Sequence, residues 1–408
     1  AGVAGNPFLS IQPFEYAEAP FLVDILVTLA VVMVIYNLHR TLLTRRVEGL
    51  YITVWYYMVA LYGMAFIYVV ISFVNPILFS GVGSQVVQAW WLHNAVGIFI
   101  TPLGVGTIYF LIPHASGSPL YSHRLGIVGF WTLMLFYPFV GLHHFLQAPV
   151  PTWLNELAVI FSILLMIPVL AVTTNFLLTP GDNWRRLFDS YPLRFALLGV
   201  IYYLATCIQG PVQASNTVNW YIHFTEWTAA HAHLALAGAF TSVAMGLVLH
   251  ILPQVTGREY DRRIASLVFW VMALGFPVFF VAFTGSGVTA ALGINELGQS
   301  VVQMIPAQEP WRITRSLAGA LLTVALWGFA LLAVRKARNV EPEEDPTGPG
   351  VVGANEAFDD IRGFCPVDLA VLARQKFDRR RLRMVLFLRD EVAFHVSKKH
   401  VWQQGRAD

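Results

Sequence analysis

The chain has 408 residues, of which 56% are hydrophobic and 12% charged, against roughly 25% charged in an ordinary soluble domain. That balance excludes a conventional water-soluble enzyme, and a net charge of +2 carries no nucleic-acid footprint. Cys207 and Cys365 are too far apart and too differently placed for a disulfide or a thiolate metal site, and no C-x-x-C-H sequence attaches a c-type heme.

Apolar runs of roughly the 20 residues that a helix needs to cross hydrocarbon lie near Phe21 to Leu38, Tyr51 to Val74, Val86 to Ile112, Leu125 to Leu146 and Trp153 to Leu178. Others follow near Phe195 to Ile208, Trp227 to Leu252, Ala265 to Thr284 and Trp311 to Val334. They predict an all-α fold, a polytopic membrane bundle of about nine transmembrane helices. The sixth run is short, and Pro192 is expected to cap its start rather than break it. Residues 1–20 read as an outer lead-in, 21–334 as the membrane core and 335–408 as a cytoplasmic linker and tail. The tail opens on an acidic stretch from Glu341 to Gly350 and continues through Val367 to Val396, which mixes Leu, Val and Phe with Arg379, Arg380 and Arg381.

Basic residues fall on alternate connections. Arg40, Arg45 and Arg46 follow the first span, Arg124 the third, Arg185, Arg186 and Arg194 the fifth, Arg258, Arg262 and Arg263 the seventh, and Arg335, Lys336 and Arg338 the ninth, whereas the opposite connections offer only Arg312. The positive-inside rule therefore predicts the N-terminus outside and the C-terminus in the cytoplasm. A chain that begins outside at Ala1, with no signal peptide and no initiating Met, reads as a processed piece or as one part of a longer polypeptide.

Histidines inside membrane helices are costly without partners and mark candidate sites. His93, the pair His143 and His144, and His231 with His233 all fall at similar depth in the outer half of the bilayer. His93 lies roughly 10 Å into its span at 1.5 Å per residue, His143 and His144 in the last turn of theirs, and His231 and His233 in the first two turns of theirs. A lone membrane histidine is as readily explained by a hydrogen bond to a neighbouring helix; five that converge from three helices are not. Imidazole suits copper and heme iron, and its neutral nitrogens suit a low-dielectric interior. His231 and His233 are about 200° apart on a helix and point to opposite sides, whereas His143 and His144, about 100° apart, can share one metal with His93. His39, His114, His123, His223 and His250 lie in loops or near helix ends and read as solvated, interfacial or structural. Tyr137 precedes His144 by two helical turns and shares its face, where a phenol can supply a proton and an electron.

These residues resemble subunit I of the cbb3-type, or C-family, heme-copper oxidases. The resemblance rests on Trp-Trp-Leu-His-Asn-Ala-Val-Gly from Trp90, Tyr-Pro-Phe-Val-Gly-Leu-His-His from Tyr137, and Glu-Trp-Thr-Ala-Ala-His-Ala-His from Glu226, with Glu15-Tyr16-Ala17-Glu18 in the lead-in. It implies a bacterial-type inner-membrane enzyme that reduces dioxygen to water with electrons from c-type cytochrome subunits. It implies CuB on His93, His143 and His144, with Tyr137 covalently joined to His93. His231 would bind a high-spin heme, heme b3, and His233 a low-spin heme b. Thr101, Tyr203 and Tyr137 would serve the proton path. The nine spans match the last nine of the family's twelve, so the helix with the second low-spin ligand is expected on another chain or segment. Gln209, before Gly210-Pro211, stands where the family has a glutamate.

Two other readings compete. A nitric oxide reductase shares the histidines but holds non-heme iron, which favours an added carboxylate; its glutamate four residues after the first histidine is Gly97 here. A non-catalytic heme-binding membrane subunit or transporter would need the His93, His143 and His144 trio to be accidental.

Overall fold

The computed structural model describes residues 11–45, 49–257 and 259–338, with side chains as far as residue 331. Among the described residues there are nine helices long and apolar enough to cross a membrane, and no strands. They are α1 (Phe21–Leu43), α2 (Ile52–Leu78), α3 (Gly81–Ser116), α4 (His123–Phe145), α5 (Thr152–Leu178), α6 (Tyr191–Ala214), α7 (Glu226–Thr256), α8 (Arg262–Asn295) and α9 (Val301–Leu331). The chain is therefore a multi-pass helical membrane protein. Arg46, Arg258, the acidic linker and the 367–396 segment lie outside the described residues.

Helix ends follow local chemistry. Ser122, Ser190, Thr225 and Asp261 cap α4, α6, α7 and α8 by accepting hydrogen bonds from the first free backbone N–H groups. Gly117 and Gly257, left-handed at φ +65° and +67°, stop α3 and α7. Pro192 occupies the first turn of α6, where its missing N–H costs nothing. The span it opens runs to Ala214, longer than its apolar core, because Gln209 and Gln213 remain helical.

Three helices depart from α geometry just ahead of a proline. The π turns Val70–Val74, Ala95–Ile100 and Val271–Gly275 end before Asn75-Pro76, Thr101-Pro102 and Phe276-Pro277. A proline ring crowds the carbonyl four residues back and offers no N–H, and widening the preceding turn accommodates both. A fourth π turn, Leu234–Phe240, directly follows His233, with the Thr241 hydroxyl donating to the Leu236 carbonyl. Such turns recur at functional sites, and two of them here begin within two residues of a histidine, His93 and His233.

Helices adjacent in sequence pack as pairs: α1 on α2, α2 on α3, α4 on α5, α6 on α7, α7 on α8 and α8 on α9. The central group is α3, α6 and α7, which touch one another and contribute fully buried Ile108, Leu111, Phe195, Val200, Ala239 and Leu249 to the main core. Hydrogen bonds cross between helices, from Thr53 to the Gly106 carbonyl at 2.9 Å and from Tyr202 to the Met272 carbonyl at 2.8 Å. Each is worth about 0.6 kcal/mol in a membrane bundle, so they set register more than stability.

Two expectations need correction. α3 starts at Gly81, ahead of its apolar run, so His93 lies ~18 Å along it at ~1.5 Å per residue. The last helix begins at Val301 and continues through Pro306 and Pro310 to Arg338. Arg312 therefore sits inside α9, where it and Arg315 pair with Glu226 at the start of α7, at 3.3 and 2.7 Å.

Candidate metal centre

Three elements bring histidines to one point. His93 lies on α3 two residues before the π turn that starts at Ala95, and His143 and His144 on a 3-10 turn, Gly141–Phe145, that ends α4. The ligand nitrogens of all three lie within 4.8 Å of one another. His93 Nδ1 and His144 Nε2 are 3.2 Å apart, and the His143 ring stands at 89° to that of His93 with centroids 4.5 Å apart. Two imidazole nitrogens on one tetrahedral cation are about 3.3 Å apart, so this spacing suits a shared metal.

The turn can approach α3 this closely because of Gly141. A Cβ there would fall 2.6 Å from Trp90 Cα, so no larger residue fits. The α-helix of α4 ends at Phe136, and Tyr137–Phe139 already forms a 3-10 turn. The expected α-helical register between Tyr137 and His144 therefore does not exist: Pro138, at the start of the 3-10 turn, offers no N–H to continue the α ladder. The two residues reach the same site by a tighter route.

Hydrogen bonds select which nitrogens are free. Ser162 donates to the Ala158 carbonyl at 2.6 Å, so its oxygen accepts from His143 Nδ1 at 2.8 Å, leaving His143 Nε2 as the lone pair. His93 Nε2 is buried without a hydrogen-bond partner. Tyr137 lies beside it, ring centroids 5.0 Å apart, with its hydroxyl 3.4 Å from that of Thr101. The phenol also fills the space over Gly97: a Cβ on that glycine would overlap Cε1 and Cδ1 of Tyr137.

His231 lines the same cavity of about 450 Å³, with His93, His143, His144, Tyr137, Thr101 and Tyr203. Its Nδ1 donates to Gln209 Oε1 at 3.4 Å. His233 turns to the other side of α7, as the two-residue spacing requires, and stacks on Phe283 with centroids 5.0 Å apart. Its Nδ1 donates to the Ala229 carbonyl at 2.8 Å. In both rings Nε2 is left free to bind a metal, the usual arrangement for a ligating histidine.

Sequence reasoning missed several wall residues. His223, read as solvated or interfacial, lines the cavity, and burial holds its imidazole below the usual histidine range. Tyr16 and Phe224 line it as well, and both are non-glycine residues at positive φ, +61° and +62°. Strained backbone of this kind clusters at functional sites, but no side-chain pattern announces it. Ser162 gave no signal either, being one small polar residue in an apolar helix. His114 and His250 pack against each other away from this cavity, ring centroids 6.1 Å apart.

Residues 4–321 match the family described as cytochrome c and quinol oxidase polypeptide I. The chain belongs to this family of heme-copper oxidase subunits. It is 30% identical over 345 residues to the cbb3-type cytochrome c oxidase subunit CcoN1 of Stutzerimonas stutzeri, covering 81% of this chain and 73% of the relative. It is 29% identical to a cytochrome c oxidase subunit 1 homolog of Agrobacterium tumefaciens (76% of this chain, 61% of the relative) and 27% identical to cytochrome c oxidase subunit 1 of Rhodobacter capsulatus (76% and 62%). The chain thus spans only part of the length of these relatives. A solved heme-copper terminal oxidase dimer shares the fold at a TM-score of 0.58 and 18% identity, over 73% of this chain and 57% of that one.

The residues present fit the groups that a heme-copper oxidase subunit implies. Three neutral nitrogens with no carboxylate among them suit copper. His231 and His233 each have one ring nitrogen anchored and one free, on opposite sides of one helix.

Proposed function

We propose that this chain is the catalytic core of a terminal oxidase that reduces dioxygen to water with electrons from c-type cytochrome subunits. The observation that carries this reading is the all-imidazole cluster of His93, His143 and His144 beside Tyr137. His93, His143 and His144 would hold CuB, His231 the high-spin heme b3, and His233 the low-spin heme b. When bound, these metals supply the electrons and open coordination positions for reducing dioxygen.

The chain's own residues do the rest. Ser162 and Gln209 fix the tautomer and direction of His143 and His231. Tyr137 holds a proton at its hydroxyl against the cluster, and Thr101 orients that hydroxyl. The unpartnered Nε2 of His93 faces no competing donor, which favours its joining to Tyr137. Thr101, Tyr203 and Tyr137 line the cavity and are the groups that would deliver protons to it. His233 is exposed, which is consistent with a second low-spin ligand from another chain or segment. The basic connections favour an N-terminus outside, and the bacterial relatives favour a bacterial inner membrane.

Nitric oxide reduction at non-heme iron is the weaker reading, because the position for an added glutamate, Gly97, is taken up by the Tyr137 ring. The test is oxygen uptake by the purified complex with a reduced c-type cytochrome, for the native chain and for His144→Ala. Uptake that falls about 100-fold or more in the variant together with its copper supports the oxidase. Nitric oxide consumption without oxygen uptake by the native complex overturns it.

A further inference from the structure

A second group of imidazoles lies away from the metal cavity, where α3 and α7 finish. His114 stands in the last turn of α3 and His250 within two turns of the end of α7. Their ring centroids are 6.1 Å apart, with planes at 61°. Phe110 packs against both rings, at 4.2 Å from His114 and 5.8 Å from His250. Both histidines are half-buried, and Gln254, one turn beyond His250, is exposed.

Hydrogen bonds decide which nitrogen carries the lone pair in each ring. A backbone carbonyl only accepts, so His114 Nδ1 donates to that of Phe110 at 2.7 Å and the lone pair is on Nε2. Gln254 Nε2 donates to the His250 carbonyl at 3.2 Å and to His250 Nε2 at 3.3 Å, which places the second lone pair on that Nε2. The two rings therefore share the tautomer that His231 and His233 present.

The spacing suits one small cation. Two imidazoles that bind an ion through nitrogens at about 2.0–2.1 Å have centroids about 5 to 6 Å apart, according to the angle at the metal, and 6.1 Å stands at the open end of that range. Neighbouring ligand atoms on such an ion are about 3.3 Å apart, the distance of the Gln254 amide from His250 Nε2. Turning that exposed amide over brings Oε1 to the ion in place of Nε2. Two helix C-termini meet here, and their partial negative charge favours a cation. Imidazole nitrogens select a transition ion over Mg2+ or Ca2+, which take oxygen ligands. Packing explains less, because a leucine fills either position without half-burying a polar ring.

We propose that His114, His250 and Gln254 bind a divalent transition-metal ion of the zinc class. The remaining position goes to water, and no proton has to leave, since both Nε2 atoms already carry lone pairs. The ion clamps α3 to α7, the helices that carry His93 and His231 toward their other ends. This site is separate from the His93, His143 and His144 cluster and does not rest on the oxidase reading.

The experiment uses the intact complex, native and with His114→Phe, His250→Phe and Gln254→Leu. Phenylalanine keeps the ring packing beside Phe110 and removes the ligand. Zn2+ bound after equilibrium dialysis is counted by metal analysis, alongside heme spectra, copper content and melting temperature. The native complex is expected to bind one Zn2+ at least about ten-fold more tightly than either histidine variant does. Its melting temperature should rise with added Zn2+ but not with Mg2+, and the rise should be absent from both variants, with heme and copper unchanged. Gln254→Leu should bind that ion several-fold more weakly. Equal zinc binding and equal thermal shifts in the native and histidine-substituted complexes, or loss in only one of the two histidine variants, overturn the shared site. Should a histidine variant lose its hemes, Gln254→Leu decides, and native zinc affinity there overturns the proposal.

Discussion

The ring of Tyr137 occupies the space that any side chain at Gly97 would need, since a Cβ built there overlaps Cε1 and Cδ1 of the phenol. Tyrosine and glycine are thus one unit, and the tyrosine stands against His93 because position 97 is bare. Gly97→Ala must push Tyr137 aside, at a cost of about 1–3 kcal/mol for overpacking. The expected outcome is a lower melting temperature and a changed spectrum of the site, with turnover reduced. Gly97→Ala paired with Tyr137→Ala should recover the stability but not the turnover, which differential scanning calorimetry and oxygen uptake check together.

Ser162 has a single hydrogen, and it is committed to the Ala158 carbonyl, so its oxygen holds His143 Nδ1. Ser162→Ala removes that acceptor and lets the imidazole rotate or change tautomer. Loss of such a supporting partner typically costs 10–100-fold in metal affinity. Copper per heme, measured after dialysis against a weak chelator, should fall in the variant and stay level in the native complex.

Gln209 was legible in the sequence only as a departure from the expected glutamate and was connected to proton delivery. The structure sets its amide oxygen against Nδ1 of His231. Gln209→Glu would place a carboxylate there and make the imidazole a stronger donor to any metal it binds. With the proposed high-spin heme on His231, the metal–histidine stretching frequency of its reduced form, read by resonance Raman, should rise, and its midpoint potential should fall. Gln209→Leu should shift both the other way.

Outside the membrane spans, the Tyr221 hydroxyl donates to Glu296 Oε1 at 2.6 Å and ties the short helix Asn216–Ile222 to the end of α8. That hydrogen bond, followed by the Glu296 charge, raises the Tyr221 pKa above its ordinary value near 10. The folded state therefore keeps this proton at a pH where the unfolded chain has lost it. Stability from the contact is complete below pH 10 and declines as pH rises through and above it. Melting temperatures at pH 8 to 11 should show a shallower alkaline decline in Tyr221→Phe than in the native chain.

The apolar runs revealed the nine spans because bilayer thickness imposes a length that composition must meet. The histidines stood out because imidazole is conspicuous among Leu, Val and Ala. Helix limits were harder to see: Gly81 to Gln85 and Val301 to Pro310 are too polar to count as apolar, yet they continue helices whose backbone bonds do not depend on side-chain polarity. The Gly141–Phe145 turn was hidden because the sequence there still scores as apolar span. His223 was missed because its neighbours place it at a helix end, and only the fold shows that this end caps the cavity.

The most direct test of a copper-holding trio at His93, His143 and His144 is metal content: copper, total iron and heme measured on the intact complex purified from its native membrane. About one copper for every two b-type hemes, after subtracting c-type heme and any other copper centre, is the predicted result. Non-heme iron in that proportion, with copper absent, would contradict the assignment and make the site a nitric oxide reductase centre.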